Sequence, residues 1–330
     1  MALPKSFWTR TASYIMNVPP FAKHLAANDK KTRDKSVKAL AAFLSHESQE
    51  PIPKLEMDKL WKGIFYCFWM SDKPLVQQAL ASEMADLLLT IPSTPRALEF
   101  LQGFWSTTVR EWSGIDRLRI DKYYMLVRRF INATFRLLIR SDWEKSACDT
   151  HVDILTSAGG PLCSTDSRVP TSLAYHICDV YLEELEKALA SSRDTDSDSP
   201  PAPAPLCTVI SPFLHLAART LTKTTYARIE TEVFKPLFSS LVPSSVVEDP
   251  HPAKRIRLDP QARDSDYPTI VSNSCFDDPS TGIAEPLVVR KRLLQRLLEV
   301  AGEPETRDAS RRRLYAFYQA NVDEDDLEEG

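Results

Sequence analysis

Glycine is scarce in this chain: there are 8 among 330 residues, about a third of what an average composition supplies. Strand hairpins and phosphate-cradling loops both consume glycine, so the shortage speaks against a β-rich fold and a nucleotide-binding loop. Long apolar runs are missing too. None approaches the roughly 20 residues that span a bilayer, and the N-terminal stretch does not join a charged region to an apolar one as a leader does. A soluble intracellular protein without a membrane partner is expected. The cysteines Cys67, Cys148, Cys163, Cys178, Cys207 and Cys275 show no paired spacing, which fits free thiols in a reducing compartment.

Catalytic signatures are equally thin. There is no Gly-rich phosphate loop, His-Glu-x-x-His, Cys-x-x-Cys or Gly-x-Ser-x-Gly. Cys148 and His151 lie three apart and can share a helix face, but two ligands close no metal site. No catalytic residue, metal, cofactor or small-molecule substrate is therefore expected, and function has to be sought in surface and shape.

What is present is helical periodicity. Hydrophobic content of 43% and charged content of 26% suit a globular domain. Most of the 24 prolines fall where helices tolerate them, at starts such as Pro74 and Pro95, or in the linker holding Pro200, Pro201, Pro203 and Pro205. A short helix from Phe21 to Ala27 is followed by Lys30 to Leu44, where Val37, Leu40, Ala41 and Leu44 form a stripe spaced by three and four. Met57 to Met70 is apolar almost all round and therefore central. Pro74 to Leu89 and Arg96 to Glu111 follow, each entered through a cap-then-proline pair.

Asp116 to Arg140 is the longest expected helix. At about 100° per residue, Tyr123, Leu126, Val127, Phe130 and Leu137 fill one face, and Lys122, Arg129, Arg136 and Arg140 fall together on the other. A second stripe, Leu118, Met125 and Ile139, predicts packing on two sides, as an inner helix of a stack needs. Ser141-Asp-Trp-Glu144 has capping-box form and restarts a helix that ends at Gly159-Gly160-Pro161. Further helices are expected over Val169–Ala190, Leu206–Leu221, Tyr226–Leu241, Leu287–Val300 and Thr306–Val322.

The organisation read from this pattern is all-α. It is an irregular HEAT-like solenoid of antiparallel helix pairs over residues 1–190, continued through 206–242, with C-terminal helices over 286–322. Periodicity does not distinguish it from a compact helical bundle. Residues 191–205, rich in Ser, Asp and Pro, read as a disordered linker, 243–285 as mostly disordered, and 323–330 as an acidic tail.

Charge is unevenly distributed. Residues 1–150 hold 22 Lys and Arg against 16 Asp and Glu, whereas 151–330 hold 19 against 29. A basic half beside an acidic half suggests a bridging protein whose basic part faces an anion, although the acidic tail and the 194–198 patch supply much of the negative excess. The candidate RNA- or partner-binding residues are Lys23, Lys30, Lys31, Arg33 and Lys35, together with the row Lys122, Arg129, Arg136 and Arg140. A row at seven-residue spacing follows a helix face and can track a phosphate backbone. The alternative is a solvated surface balanced by Asp29, Asp34 and Asp121. The aromatic cluster Trp61, Phe65, Tyr66, Phe68 and Trp69 covers too much of one helix for base stacking and reads as core. Lys254, Arg255 and Arg257, flanked by proline and aspartate, have the form of a nuclear import signal.

Three runs carry a resemblance: Phe21-Ala-Lys-His-Leu-Ala-Ala-Asn-Asp-Lys-Lys-Thr-Arg-Asp-Lys35, Leu60-Trp-Lys-Gly-Ile-Phe-Tyr-Cys-Phe-Trp-Met-Ser-Asp-Lys-Pro74 and Trp112-Ser-Gly-Ile-Asp-Arg-Leu-Arg-Ile-Asp-Lys-Tyr-Tyr124. With weaker matches at Tyr181–Leu185 and Pro212–Arg219, the chain from about Pro20 to Leu241 resembles the ribosomal RNA processing protein one family. The resemblance implies a nucleolar factor of pre-60S particles, needed to process precursor rRNA to large-subunit and 5.8S RNA. It also implies companion assembly factors, a WD-repeat protein among them, and no nuclease activity. Beyond Leu241 no counterpart is placed. In the shared runs, Lys62, Lys73, Arg117, Arg119 and Lys122 become interface candidates, or else structural partners of Asp72, Asp116 or Asp121. Gly114 is expected to permit a tight turn, Asp116 to cap the long helix and Asp72 the helix that starts at Pro74. The resulting expectation is a non-enzymatic scaffold; the alternative is a nuclear adaptor that binds only proteins, its effect on rRNA being indirect.

Overall fold

The computed structural model describes residues 24–46, 51–193, 201–242 and 266–326. Two rows of helices emerge. The odd row consists of α1 (Lys30–Leu44), α3 (Pro74–Thr90), α5 (Ile120–Arg140), α7 (Thr171–Arg193) and α9 (Lys223–Ile229). The even row consists of α2 (Lys54–Trp69), α4 (Thr94–Glu111), α6 (Lys145–Thr156), α8 (Leu206–Arg219) and α12 (Pro286–Gly302). Each helix packs on the next of its own row: α1 on α3, α3 on α5, α5 on α7, α7 on α9, and α2 on α4, α4 on α6, α6 on α8, α8 on α12. Second-neighbour stacking of this kind defines a solenoid rather than a bundle closed on one core. The long helix α5 is packed on both sides, by α3 and α7, with Met125 and Ile139 of its second stripe against the core; the third member, Leu118, precedes the helix and faces water instead.

Local chemistry sets the ends of the helices. Asp29 caps α1 by accepting the Thr32 N–H at 2.8 Å, and α3, α4 and α12 each carry a proline in the first turn, where no donor is lost. Pro212 lies inside α8 and cannot donate to the Thr208 carbonyl; the Ser211 hydroxyl does so instead, at 2.8 Å. In the odd row, α9 runs through a π-turn over Glu230–Phe234 into α10 (Lys235–Ser240), where Pro236 removes a regular helical bond.

The core runs between the rows. Trp61 of α2 is buried against Phe100, Phe104 and Phe130, and its indole N–H donates to the Phe100 carbonyl at 2.9 Å. Helices α2 and α4 meet closely here because position 103 is glycine; a Cβ there would lie 2.2 Å from the Trp61 ring. The aromatic cluster of α2 is packing, with Phe65 stacked on Tyr123 and Phe68 edge-on to it.

Several local expectations are corrected. The Ser141–Glu144 capping box does not form: Asp142 and Trp143 take positive φ of 50° and 56°, and α6 starts with no side-chain cap bond from Glu144. The tight reversal lets the Trp143 indole bury and donate to the Ala202 carbonyl at 3.2 Å. Gly114 needs no glycine-specific φ and has open space around it. Asp72 does not cap α3. Asp116 caps a turn before α5, accepting the Leu118 N–H at 3.0 Å, so the helix begins at Ile120.

The largest difference lies after α10. Residues 266–285, expected to lack order, carry α11 (Pro268–Ser272) and a strand β2 (Ser274–Cys275) that pairs in parallel with β1 (Ala204–Pro205), drawing the end of the 191–205 segment into the core. The Glu186 carboxylate of α7 accepts the Thr269 and Ile270 N–H groups at the start of α11, each at 2.8 Å. These elements are too short for any apolar period, and backbone hydrogen bonds hold them instead. Helix α12 then takes its place in the even row, and α13 (Asp308–Asp326) packs on α12 and α8.

Candidate nucleic-acid or partner interface

Three of the cations singled out from sequence, Lys122, Arg136 and Arg140, turn out to hold helices together. Lys122 is the clearest case. Only 6% exposed, it donates to the carbonyls of Phe68, Trp69 and Ser71 at 3.0, 2.8 and 2.7 Å. An ammonium thus occupies the C-terminal end of α2, where the orphan carbonyls and the helix dipole favour a cation. Burial, assisted by neighbouring Arg119, lowers its pKa to about 8, which leaves it charged at neutral pH. It is therefore not a member of a solvent-facing row. The helical projection put it opposite Leu126 and Val127, but at that level of α5 the opposite side is covered by the α2–α3 turn.

The rest of the row divides similarly. Arg136 pairs with Asp86 of α3 at 2.9 Å. Arg140 donates to the Leu89 and Ile91 carbonyls at 2.8 and 2.9 Å, closing the C-terminus of α3 as Lys122 closes that of α2. Arg129 alone of the four is exposed with neither an ion pair nor a side-chain hydrogen bond among the described residues. In the first cluster, Arg33 is buried and donates to the Ala27 and Asn28 carbonyls, both at 2.8 Å, so it too is structural. Lys30 pairs with Asp34 at 2.6 Å, while Lys31 and Lys35 face solvent. Lys23, Lys254, Arg255 and Arg257 lie outside the described residues.

The resemblance candidates gather at one end of the stack. Lys122 ties the start of α5 to the α2–α3 turn, so exposed Lys73 and exposed Arg117 sit on adjacent turns. Arg119 is ion-paired to Asp116 and lies 4.9 Å above the Trp69 ring. Lys62 is exposed on α2. Beside these cations stand two apolar side chains facing water, Leu75 at 79% and Leu118 at 92% exposure. The hydrogen bonds of Asp116 fix the turn that presents Leu118. Such an edge can meet a phosphate backbone through its cations or a protein surface through both kinds of group.

Sequence reasoning missed the bridges across the odd row. Arg128 of α5 pairs with Glu183 and with Glu184 of α7, whose carboxylate is almost fully buried. Arg228 of α9 grips Asp179 of α7 through two bonds at 2.6 and 2.7 Å. The one available signal was Glu184 at a core-facing position of the Tyr181–Leu185 run, since a buried carboxylate demands a cation partner.

Acid–base chemistry finds no purchase at Cys148 and His151. Burial lifts the Cys148 thiol to about 12 and lowers the His151 imidazole to about 4, and neither ring nitrogen has a hydrogen-bond partner among the described residues. No group of three His, Cys, Asp or Glu side chains able to hold a metal occurs among the described residues. No described helix is long and apolar enough to cross a membrane.

The described residues thus form an all-α helical stack that leaves one cationic and apolar edge open. A family model described as the nucleolar protein Nop52 matches residues 16–319. The chain is 36% identical over 234 residues to human ribosomal RNA processing protein 1 homolog B, covering 69% of this chain and 29% of the relative. It is 33% identical over 319 residues to the mouse homolog B, covering 89% and 42%. The Drosophila ribosomal RNA processing protein 1 homolog is 33% identical over 170 residues, 50% of this chain and 24% of the relative. The chain belongs to the Nop52 family of nucleolar proteins, and it spans less than half the length of these relatives. The family match runs on through α12 to within α13, so the likeness does not stop at Leu241.

Proposed function

We propose that this chain is a non-enzymatic scaffold of nucleolar pre-60S particles, needed for processing precursor rRNA to the large-subunit and 5.8S RNAs. The observation that carries this reading is the family match along nearly the whole stack, to relatives named for ribosomal RNA processing. In it, the stack holds precursor rRNA and assembly factors, a WD-repeat protein among them, in a geometry on which separate nucleases act. RNA contact falls to the cations left facing solvent: Lys31, Lys35, Lys62, Lys73, Arg117 and Arg129. The exposed Leu75 and Leu118 beside them favour a second reading, a protein-only adaptor.

Salt dependence separates the two. Under the first reading, purified protein binds large-subunit precursor RNA with an affinity that falls steeply with salt, and Lys73→Glu with Arg117→Glu and Arg129→Glu lowers the slope by about 1 for each phosphate no longer neutralised. Absence of RNA binding even at low salt, with capture of an assembly factor abolished in a Leu118→Asp variant, replaces it with the adaptor.

A further inference from the structure

The even row has a surface of the opposite sign. Between α6, α8 and α12 lies a furrow of about 600 Å³. Its floor is the polar face of α8 (Thr208, Ser211, His215), one wall carries Asp149 and Asp153 of α6, and Asp277 and Glu299 stand across it. A second furrow, of about 260 Å³, lies between α4 and α6 and carries Glu99, Glu144 and Asp153, with no cation lining it. Asp153 on the crest of α6 belongs to both.

The two furrows adjoin, and a chain crossing the helices meets a carboxylate at α4, α6 and α12 in turn. Glu99 and Asp153 are exposed and make no ion pair among the described residues, unlike the acids that bridge the odd row. Cations do enter the wider furrow, but they are engaged: Arg292 lies 4.0 Å over the Phe276 ring, and Arg296 pairs with Glu299 and Glu303. Lys145 nearby is bound to Asp149.

The geometry points to a docking groove for an extended, lysine- and arginine-rich peptide segment of a partner protein, laid across α4, α6, α8 and α12. Charge complementarity names the occupant. A phosphate backbone would meet carboxylates with no ion pair among the described residues at Glu99 of α4, Asp153 of α6 and Asp277 beside α8, whereas a basic peptide would find an acid at each of these and hydroxyls on the floor between. Helix axes roughly 10 Å apart give a crossing of about 30 Å, which about nine extended residues span. This inference does not depend on RNA contact at the cationic edge; the surfaces are distinct.

The test uses the whole chain and a short fluorescein-labelled peptide of alternating arginine and serine, read by fluorescence anisotropy. The expected result is salt-sensitive binding that weakens about tenfold in Glu99→Lys with Asp153→Lys. It is expected to persist in Glu83→Lys with Glu305→Lys, which makes the same charge change outside the furrow. Both altered pairs are exposed, and circular dichroism checks their fold. Equal weakening by the two pairs, or binding indifferent to the furrow reversal, overturns the proposal. A photoreactive version of the peptide supports it by crosslinking to α4, α6 or α8; crosslinks confined to residues 323–330, or a gain in peptide binding on furrow reversal, sink it.

Discussion

The two helical rows spend their charges differently. Along the odd row, Asp86–Arg136, Arg128–Glu183/Glu184 and Asp179–Arg228 join α3 to α5, α5 to α7 and α7 to α9. Along the even row, apolar packing does the joining, through Trp61 and Phe100 between α2 and α4 and Gly103 beneath them. One long ion pair, Arg219–Glu303 at 3.8 Å, reaches from α8 to the end of α12, while Glu99 and Asp153 of the even row are left facing water with no ion pair among the described residues. In a stack where each repeat touches only its neighbours, a row that bridges itself with ion pairs has few charges to offer a partner. A row held by apolar contacts keeps its charges for use.

The comparison can be broken most severely at Lys122. Lys122→Met keeps the volume but strips three carbonyls of their shared donor, and a loss of about 3 kcal/mol is expected in urea unfolding. A loss below 1 kcal/mol would mean that water substitutes freely and that the α2–α3 turn is less closed than its hydrogen bonds indicate.

His151, inside the even row, gives an effect of similar size with a pH signature. Its imidazole is lowered to about 4 by burial, from an ordinary value near 6.5. The folded state therefore resists protonation that the unfolded chain accepts. Its contribution is fully present above about pH 6.5 and is lost as pH falls toward 4, amounting to about 3 kcal/mol across that window. His151→Leu should flatten this part of the stability–pH curve while leaving neutral stability equal or higher. An unchanged acid limb would place the proton uptake elsewhere.

The smallest effect sharpens the contrast within the odd row. Arg136→Met removes an ion pair in which both side chains are about half exposed, and the expected change is under 1 kcal/mol, fading with added salt. Arg129→Glu should leave urea unfolding unchanged.

Much of the fold was legible because it rests on period. Proline-started helices, the two-sided burial of α5 and the all-α class follow from spacing that any helix of this length must obey. Function was less legible for a physical reason. A helical projection shows which side chains point away from the apolar face, but not what covers that side. Lys122, Arg136 and Arg140 share a face with Arg129 in projection, yet neighbouring helices claim the first three. The acidic furrows were illegible altogether, because Glu99, Asp153 and Glu299 are brought together only by stacking. Residues 266–285 escaped notice for another reason: five-residue helices and two-residue strands carry no period to read.

The pairing of Ala204 and Pro205 with Ser274 and Cys275 has a topological consequence. It works with α11 on α7 and α12 on α8 to knit the helices up to α10 to those from α11 onward at several independent places. Two polypeptides made separately, one ending at Val242 and one beginning at Asp266, are therefore expected to assemble through these contacts, and co-purification of the two pieces checks it.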